Sequence, residues 1–416
     1  MENKIVLVFS GQGGNDAIRG LMTEFGNSLI SIGMSVVHVD MDHGELQAAA
    51  DLAANGKVAF GLTYLGVGQD IAVTTSPGES VNLWEACRIP LLKIHGDIPA
   101  YYADRHRDTP STAVNLYVAD EFLRFRQRWL AEARTLAAVI PPMPLFDIDK
   151  AAVDVSIRKR GKLVFIKNGN SHTDLRRLWN ERLSRSIAGM LESMAEAATA
   201  PSLKAKPFYI GDFVAESLAG GGIDPLSSIS LVRFFTAQID DYLRRVKSEL
   251  IVTSLLDLPV IIQGGNWGHV DFAGRRAQLV PGQRYDDTRR VFTDALGILD
   301  MSPNTQGAPH ERIWRAAGCF TLALTNRQGW LDCAFAEFKD LDFEFHAESI
   351  QTRVSDVIAH ADRYLDLGIS FGEAFRRVYP KESFANKIVD LAEIAMLKYA
   401  NPKPSVQPFF VWSKID

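Results

Sequence analysis

Three polar segments, each placed directly after an apolar run, carry the residue types that can grip a ligand. The first is Ser302-Pro303-Asn304-Thr305-Gln306, followed by Pro309-His310-Glu311. Ile298–Met301 ahead of it reads as a buried strand, and Pro309–Ala317 behind it as a helix. In an open α/β sheet, ligands sit outside the carboxyl ends of the strands, beside helix N-termini. Asn304, Thr305, Gln306 and His310 can form hydrogen bonds there, and Glu311 can accept them from a ligand's hydroxyl groups. The plainer alternative for Glu311 is an acid that complements the helix dipole, typically worth about 0.3–1 kcal/mol at a surface. His310 could equally be a cap residue. The second segment, Gln263-Gly264-Gly265-Asn266-Trp267-Gly268-His269, follows the apolar run Pro259–Gln263. Gly264 and Gly265 permit close backbone approach. Asn266 can hydrogen-bond to an aromatic base and Trp267 can stack on it; the alternative is a glycine turn with a packed tryptophan. The third is Lys167, at the end of Lys162–Ile166. A cation there can neutralise an anionic leaving group, although a solvated lysine reads as well. His172 is similarly ambiguous.

The first half of the chain offers two further candidates. Gly11-Gln12-Gly13-Gly14 follows the buried run Ile5–Ser10. A dinucleotide fingerprint would need glycine where Asp16 stands, so a nicotinamide or flavin enzyme is disfavoured. The segment reads either as a plain strand-to-helix turn or as a lining that lets a second substrate approach the backbone. His95-Gly96-Asp97-Ile98-Pro99 ends another apolar run. His95 and Asp97 could supply a general base, which must come within hydrogen-bond reach of the proton it removes. The competing reading is a satisfied histidine and a turn aspartate. No histidine spacing matches a metal motif, and Asp40-Met41-Asp42 has D-x-D letters without supporting ligands, so no metal and no cofactor is expected.

Composition narrows the class. The chain has 416 residues, 47% of them hydrophobic and 23% charged, with a net charge of −5. That size suggests two domains. The charge provides no broad basic field, so a nucleic-acid partner is not expected. Three cysteines at no metal spacing fit a reducing compartment. No apolar run approaches the roughly 20 residues of a spanning helix, and Met1-Glu2-Asn3-Lys4 leads straight into a strand. The expectation is a cytoplasmic protein without a transmembrane segment, with a peripheral inner-membrane location left open.

Strands and helices alternate along the chain. Ile5–Ser10, Ser35–Val39, Val58–Leu65, Ile89–His95 and Thr112–Val118 read as strands, with helices at Asp16–Ile32, Glu45–Ala54, Leu83–Cys87 and Asp120–Thr135 between and after them. Such alternation implies a parallel, doubly wound sheet. The pattern restarts at Lys162–Ile166. A long helix over 174–198, a loop over 199–223, a helix over Ser227–Leu256 and strands at Pro259–Gln263, Ile298–Met301 and Phe320–Thr325 follow, then mainly helix. The expected division is 1–155, 156–395 and a tail at 396–416 that returns to the first domain; a boundary near 205 competes. The fold class is α/β, with two Rossmann-like domains facing across a cleft and a helical C-terminal end, the architecture termed GT-B.

Asp300-Met301-Ser302-Pro303-Asn304-Thr305, Pro309-His310-Glu311-Arg312 and Arg315-Ala316-Ala317-Gly318, with Trp267 after its strand and glycine pair, resemble bacterial GT-B glycosyltransferases of the CgeB-like, group 1 type. The likeness spans about 160–330; the first half matches by architecture only. The resemblance implies a nucleotide-sugar donor in the second domain and an acceptor (glycan, lipid-linked sugar or protein) in the first. Glu311 matches the glutamate that contacts ribose in such proteins. Many retaining members carry a second glutamate eight residues earlier; Pro303 stands there in this chain, so retention is not implied. The expected reaction is metal-independent transfer of a sugar to a hydroxyl or amide. A sugar-nucleotide epimerase or hydrolase, or a non-catalytic nucleotide-sugar-binding protein, are the alternatives.

Overall fold

The computed structural model describes residues 4–11, 16–42, 45–74, 78–131, 135–204, 206–399 and 410–412. The chain divides into two compact units, Met1–Pro141 with Tyr379–Asp416, and Pro142–Val378. The division therefore lies upstream of the position near 155 read from the sequence.

The first unit begins with β1 (Ile5–Ser10), α1 (Ala17–Ser31), β2 (Ser35–Asp40), α2 (Leu46–Ala54), β3 (Val58–Tyr64), β4 (Ala72–Thr74), β5 (Ser80–Asn82) and α3 (Leu83–Cys87). It continues through β6 (Leu91–His95), α4 (Ala103–Arg107), β7 (Ala113–Tyr117), α5 (Asp120–Trp129) and β8 (Leu136–Val139). Six strands form one parallel sheet in the order β2-β1-β3-β6-β7-β8. Strands covered on both faces read as continuous apolar runs, and Val6, Leu7, Val8 and Phe9 of β1 are all fully buried. One side of the core gathers Leu7, Phe9, Val73, Trp84 and Leu91.

The second unit runs α6 (Val155–Arg160), β9 (Leu163–Ile166), α7 (His172–Arg182), α8 (Arg185–Ser202), α9 (Ile210–Gly220), α10 (Ile229–Leu255), β10 (Ile261–Gln263), β11 (Gln278–Val280) and α11 (Thr288–Asp294). It then adds β12 (Gly297–Leu299), α12 (Glu311–Gly318), β13 (Ala323–Asn326), α13 (Gly329–Ala334), β14 (Asp342–Phe343), α14 (Ala347–Ala359) and α15 (Ala361–Val378). Its strands are parallel in the order β11-β10-β9-β12-β13-β14. This is the doubly wound order in which the first strand lies centrally and the fourth starts the opposite wing. Two helices differ from the sequence reading. The helix expected over 174–198 breaks at Leu183-Ser184, where Ser184 Oγ accepts from Ile187 N at 3.4 Å and starts α8. The stretch 199–223 expected as loop contains α9, whose buried Ile210, Val214 and Leu218 recur at helical spacing.

The chain ends in α16 (Lys381–Tyr399) and β15 (Phe410–Trp412). Phe384 of α16 stacks on Phe25 of α1, with ring centroids 5.0 Å apart. β15 pairs antiparallel with β4. Both elements therefore belong to the first unit, whereas the sequence reading kept residues up to 395 with the second.

One glycine in the second unit is required by packing. The segment 145–148 is zipped to the end of α12 by Leu145 N to Trp314 O at 3.0 Å and Ile148 N to Gly318 O at 3.1 Å. A Cβ on Gly318 would meet Leu145 O at 1.7 Å. Gly318→Ala is expected to cost about 3 kcal/mol, read from the midpoint of chemical denaturation; a variant as stable as the parent would show that the segment shifts freely.

Candidate functional site

In this strand order the chain winds away in opposite directions from β9 and β12, so the segments after those two strands flank the topological switch point, where doubly wound sheets bind ligands. The segment after β9 is laced to the segment after β10. Asn168 Oδ1 accepts from Gly265 N at 2.9 Å, Gly169 N donates to Gly265 O at 2.8 Å, and Asn266 Nδ2 donates to Asn170 Oδ1 at 3.1 Å. Gly264 adopts φ 155°, and a Cβ there would lie 2.1 Å from Lys167 O, so only glycine fits. Lys167 is half-buried at the end of β9.

Trp267 has a different place from the one expected. It is 2% exposed, packs against Gly169, stacks with His269 at 5.7 Å and donates Nε1 to Lys167 O at 2.9 Å. The ring is the floor under both segments, so base stacking passes out of its reach. The adjoining Asn266 is exposed and holds a left-handed φ of 64°.

The segment after β12 is built around a residue the sequence reading did not single out. Asp300 is fully buried; its Oδ1 accepts from His310 Nδ1 at 3.0 Å and from Arg312 at 3.1 Å. Burial alone would raise its pKa, but His310 and Arg312 outweigh that and bring it to about 2. Ser302 Oγ donates to Thr305 O at 2.6 Å, and Ser302 N donates to Asn326 Oδ1 at 2.8 Å. Thr305 is 4% exposed. Gln306 O accepts from Trp330 N at 3.0 Å. Asn304, at φ 55°, is pinned by α10: its Nδ2 donates to Asp240 Oδ1 at 2.9 Å, and its Oδ1 accepts from Lys247 Nζ at 2.6 Å. Burial pushes Lys247 down to about 8, against the opposing pull of Asp240.

Glu311 opens α12 with a side chain 27% exposed. Its Oε2 accepts from Arg315 Nε at 2.6 Å, while Oε1 lies 4.0 Å from His310 Nε2. Burial acts to raise the Glu311 pKa, but Arg315, His310 and Arg312 together hold it below the usual carboxylate range. The Arg315 guanidinium is itself caged by Tyr285, Phe292 and Phe146 at 4.8, 5.2 and 5.6 Å. The geometry therefore offers an ionised carboxylate with one oxygen committed and the other at the rim. Two buried polar atoms lack partners among the described residues at these strand ends: Gln263 Nε2 and Asp300 Oδ2. Buried polar groups are normally satisfied, so such atoms point to water or ligand.

The candidates of the first unit sit apart from this cluster in sequence and sheet. His95 is 1% exposed, its Nε2 meets Asn115 Oδ1 at 2.8 Å, and its ring packs on His106 at 4.1 Å. Burial, then His106 and Lys93, drive its pKa well below the ordinary value. A base must reach its proton, and this imidazole is walled into the core, so the base role read from sequence lacks positional support. Asp97 is half-buried in the bend after β6. Gly11 is buried, and a Cβ there would make ordinary contacts at 3.6 Å with Val67 and 3.7 Å with Met41. Gln12, Gly13 and Gly14 lie outside the described residues. Among the described residues, no three His, Cys, Asp or Glu side chains are grouped to hold a metal ion, and no helix is long and apolar enough to cross a membrane.

Asp300 left one trace in the sequence, a charge closing the apolar run Ile298-Leu299. Asp240 and Lys247 left another, charges seven residues apart on a helix face that is otherwise buried. Since the folded-state pKa of Asp300 lies below the unfolded value of 3.8, its stabilisation is complete above about pH 4 and is lost as pH falls towards about 2. Asp300→Asn should lower stability at neutral pH by about 2 kcal/mol and flatten that acid limb. Denaturation titrations across this range check it, and an unchanged acid limb would remove the ion cluster from the account.

No known family model matches the chain, and no curated protein matches it either. Solved structures do. Sucrose-phosphate synthase from Thermosynechococcus elongatus superposes with a TM-score of 0.51 at 10% identity, over 95% of this chain and 100% of that one. An alpha-glucosyltransferase in complex with UDP and a 13-mer DNA containing a HMU base gives 0.52 at 9% identity, over 94% and 99%. Alpha-glucosyltransferase in complex with UDP gives 0.53 at 10% identity, over 94% and 99%. At such identities the likeness is one of fold: this chain has the α/β fold of GT-B glycosyltransferases, with two Rossmann-like units and a helical C-terminal end.

Proposed function

We propose that this protein is a glycosyltransferase that moves a sugar, of hexosyl type, from a nucleotide-diphosphate donor to an acceptor hydroxyl or amide without a metal ion. The observation that carries the reading is Glu311, an ionised, partly exposed carboxylate beside the switch point of a doubly wound sheet. In this role Glu311 Oε1 accepts hydrogen bonds from the ribose hydroxyls, and Arg315 keeps the carboxylate ionised and aimed. Lys167 and His310 meet the negative charge of the diphosphate, which replaces a metal's service to the leaving group. Asn266, exposed, offers its amide oxygen to the base, Gly264 and Gly265 bring the backbone close beside it, and Asn304, Thr305 and Gln306 shape the segment behind Glu311. The donor belongs to the second unit, and the acceptor, a glycan, a lipid-linked sugar or a protein, to the first.

The fold likeness supports the choice of donor class. Two of the solved structures hold UDP, which makes a uridine donor the first to test. The CgeB-like resemblance supports the same assignment at the level of 297–318. An epimerase, a hydrolase or a silent sugar-nucleotide binder shares the donor site, and product analysis with and without acceptor separates them from a transferase.

A thermal-shift panel of UDP-, GDP-, dTDP- and CMP-sugars should identify a stabilising donor, with calorimetry giving its affinity. Glu311→Gln is the preferred variant, because it shortens nothing beside the caged Arg315. Loss of a charged hydrogen bond costs about 1.5–3 kcal/mol, so donor affinity should drop by about 10-fold to 150-fold in a variant that still unfolds cooperatively. Undiminished donor affinity would place the ribose elsewhere.

A further inference from the structure

A second imidazole–carboxylate pair stands at the same strand ends and is absent from the roles above. His172 is the first residue of α7, five positions after Lys167. Its Nδ1 meets Glu249 Oε2 of α10 at 2.9 Å. His269, in the segment after β10, brings its Nε2 within 3.5 Å of the same oxygen. The side chains of His172, Glu249 and His269 are 29%, 27% and 19% exposed, so the group is held but reachable. Tyr242 presents itself edge-on to the His172 ring at 5.7 Å. Arg245, paired to Asp241, donates to Ser171 O at 3.1 Å and fixes the backbone ahead of His172. Asp174, on α7 itself, faces Arg177 at 3.3 Å.

We propose that His172 is a catalytic proton donor to the departing diphosphate, and that Glu249 is the positioning residue which holds and aims its imidazole. The inference rests on the donor assignment above. With Nδ1–H committed to Glu249, the remaining Nε2–H is the edge left for a ligand, and Nε2 makes no hydrogen bond among the described residues. In the step, the bond between the sugar's anomeric carbon and the β-phosphate oxygen breaks and its electron pair stays on that oxygen, which takes the proton from His172 Nε2. The acceptor oxygen forms the new bond to carbon and releases its own proton to water, from which the imidazole is recharged.

The test uses the full chain with UDP-glucose, following UDP release. His172→Gln should lower kcat by about 10²-fold to 10⁴-fold with little change in KM or in donor affinity. His172→Asn, shorter and without a titratable group, should be as slow as His172→Gln. Glu249→Gln should lower kcat with KM and donor affinity unchanged, and Glu249→Asp should recover part of the loss; a merely structural role would move stability and KM together and leave kcat in place. Wild-type-like kcat in the His172 and Glu249 variants overturns the dyad while leaving the donor reading intact. A parent chain that neither binds nor turns over UDP-glucose overturns the uridine donor and the dyad with it.

Discussion

Parallel strand order is the constraint from which the site follows. With β9 central and β12 beside it, the chain winds outward in opposite directions from these two strands, and because all the strands are parallel the segments after β9, β10 and β12 emerge at one common edge. Those segments lie beyond the strand ladder, and part of their hydrogen bonding is met by one another. The Asn168–Gly265, Gly169–Gly265 and Asn266–Asn170 bonds are that part. Trp267 closes the underside, which explains why a residue suited to stacking on a base is spent on packing.

The long helix α10 supplies the rigidity. It spans 27 residues and holds two segments at once. Asp240 and Lys247 seize Asn304, while Arg245 and Glu249 reach Ser171 and His172. Contacts of this kind limit the motion of groups that must meet a ligand within a fraction of an ångström. The same helix is thereby a single support for the carboxylate rim and for the imidazole pair.

Charge at the site is arranged in opposed pairs of unequal exposure. Asp300 is fully buried and serves His310 and Arg312; Glu311 is partly exposed and served by Arg315. Removing one member of a buried pair strands the other in a low-dielectric setting. This is why the exposed carboxylate can be offered to a ligand while the buried one is committed to structure. In the first unit the same physics has the opposite outcome. Among the described residues, His95 and Lys93 have no carboxylate within bonding distance; burial lowers the pKa of both, Lys93 to about 7 against the opposing pull of Asp70.

The amino-acid order alone determined the α/β alternation, the strand–segment–helix at 297–318 and the placement of polar groups after buried strands, because hydrophobic periodicity and glycine or proline punctuation act over a few residues. It also placed Glu311 in the first turn of its helix. The tertiary structure decided what those groups touch. Asn304 meets Asp240, His172 meets Glu249, and α16 leaves the second unit for α1, each across a sequence distance that no local pattern encodes. Burial made the same distinction for His95 and Trp267: residue type announces what a side chain can do, and only the packing around it shows whether the side chain has anything left to offer.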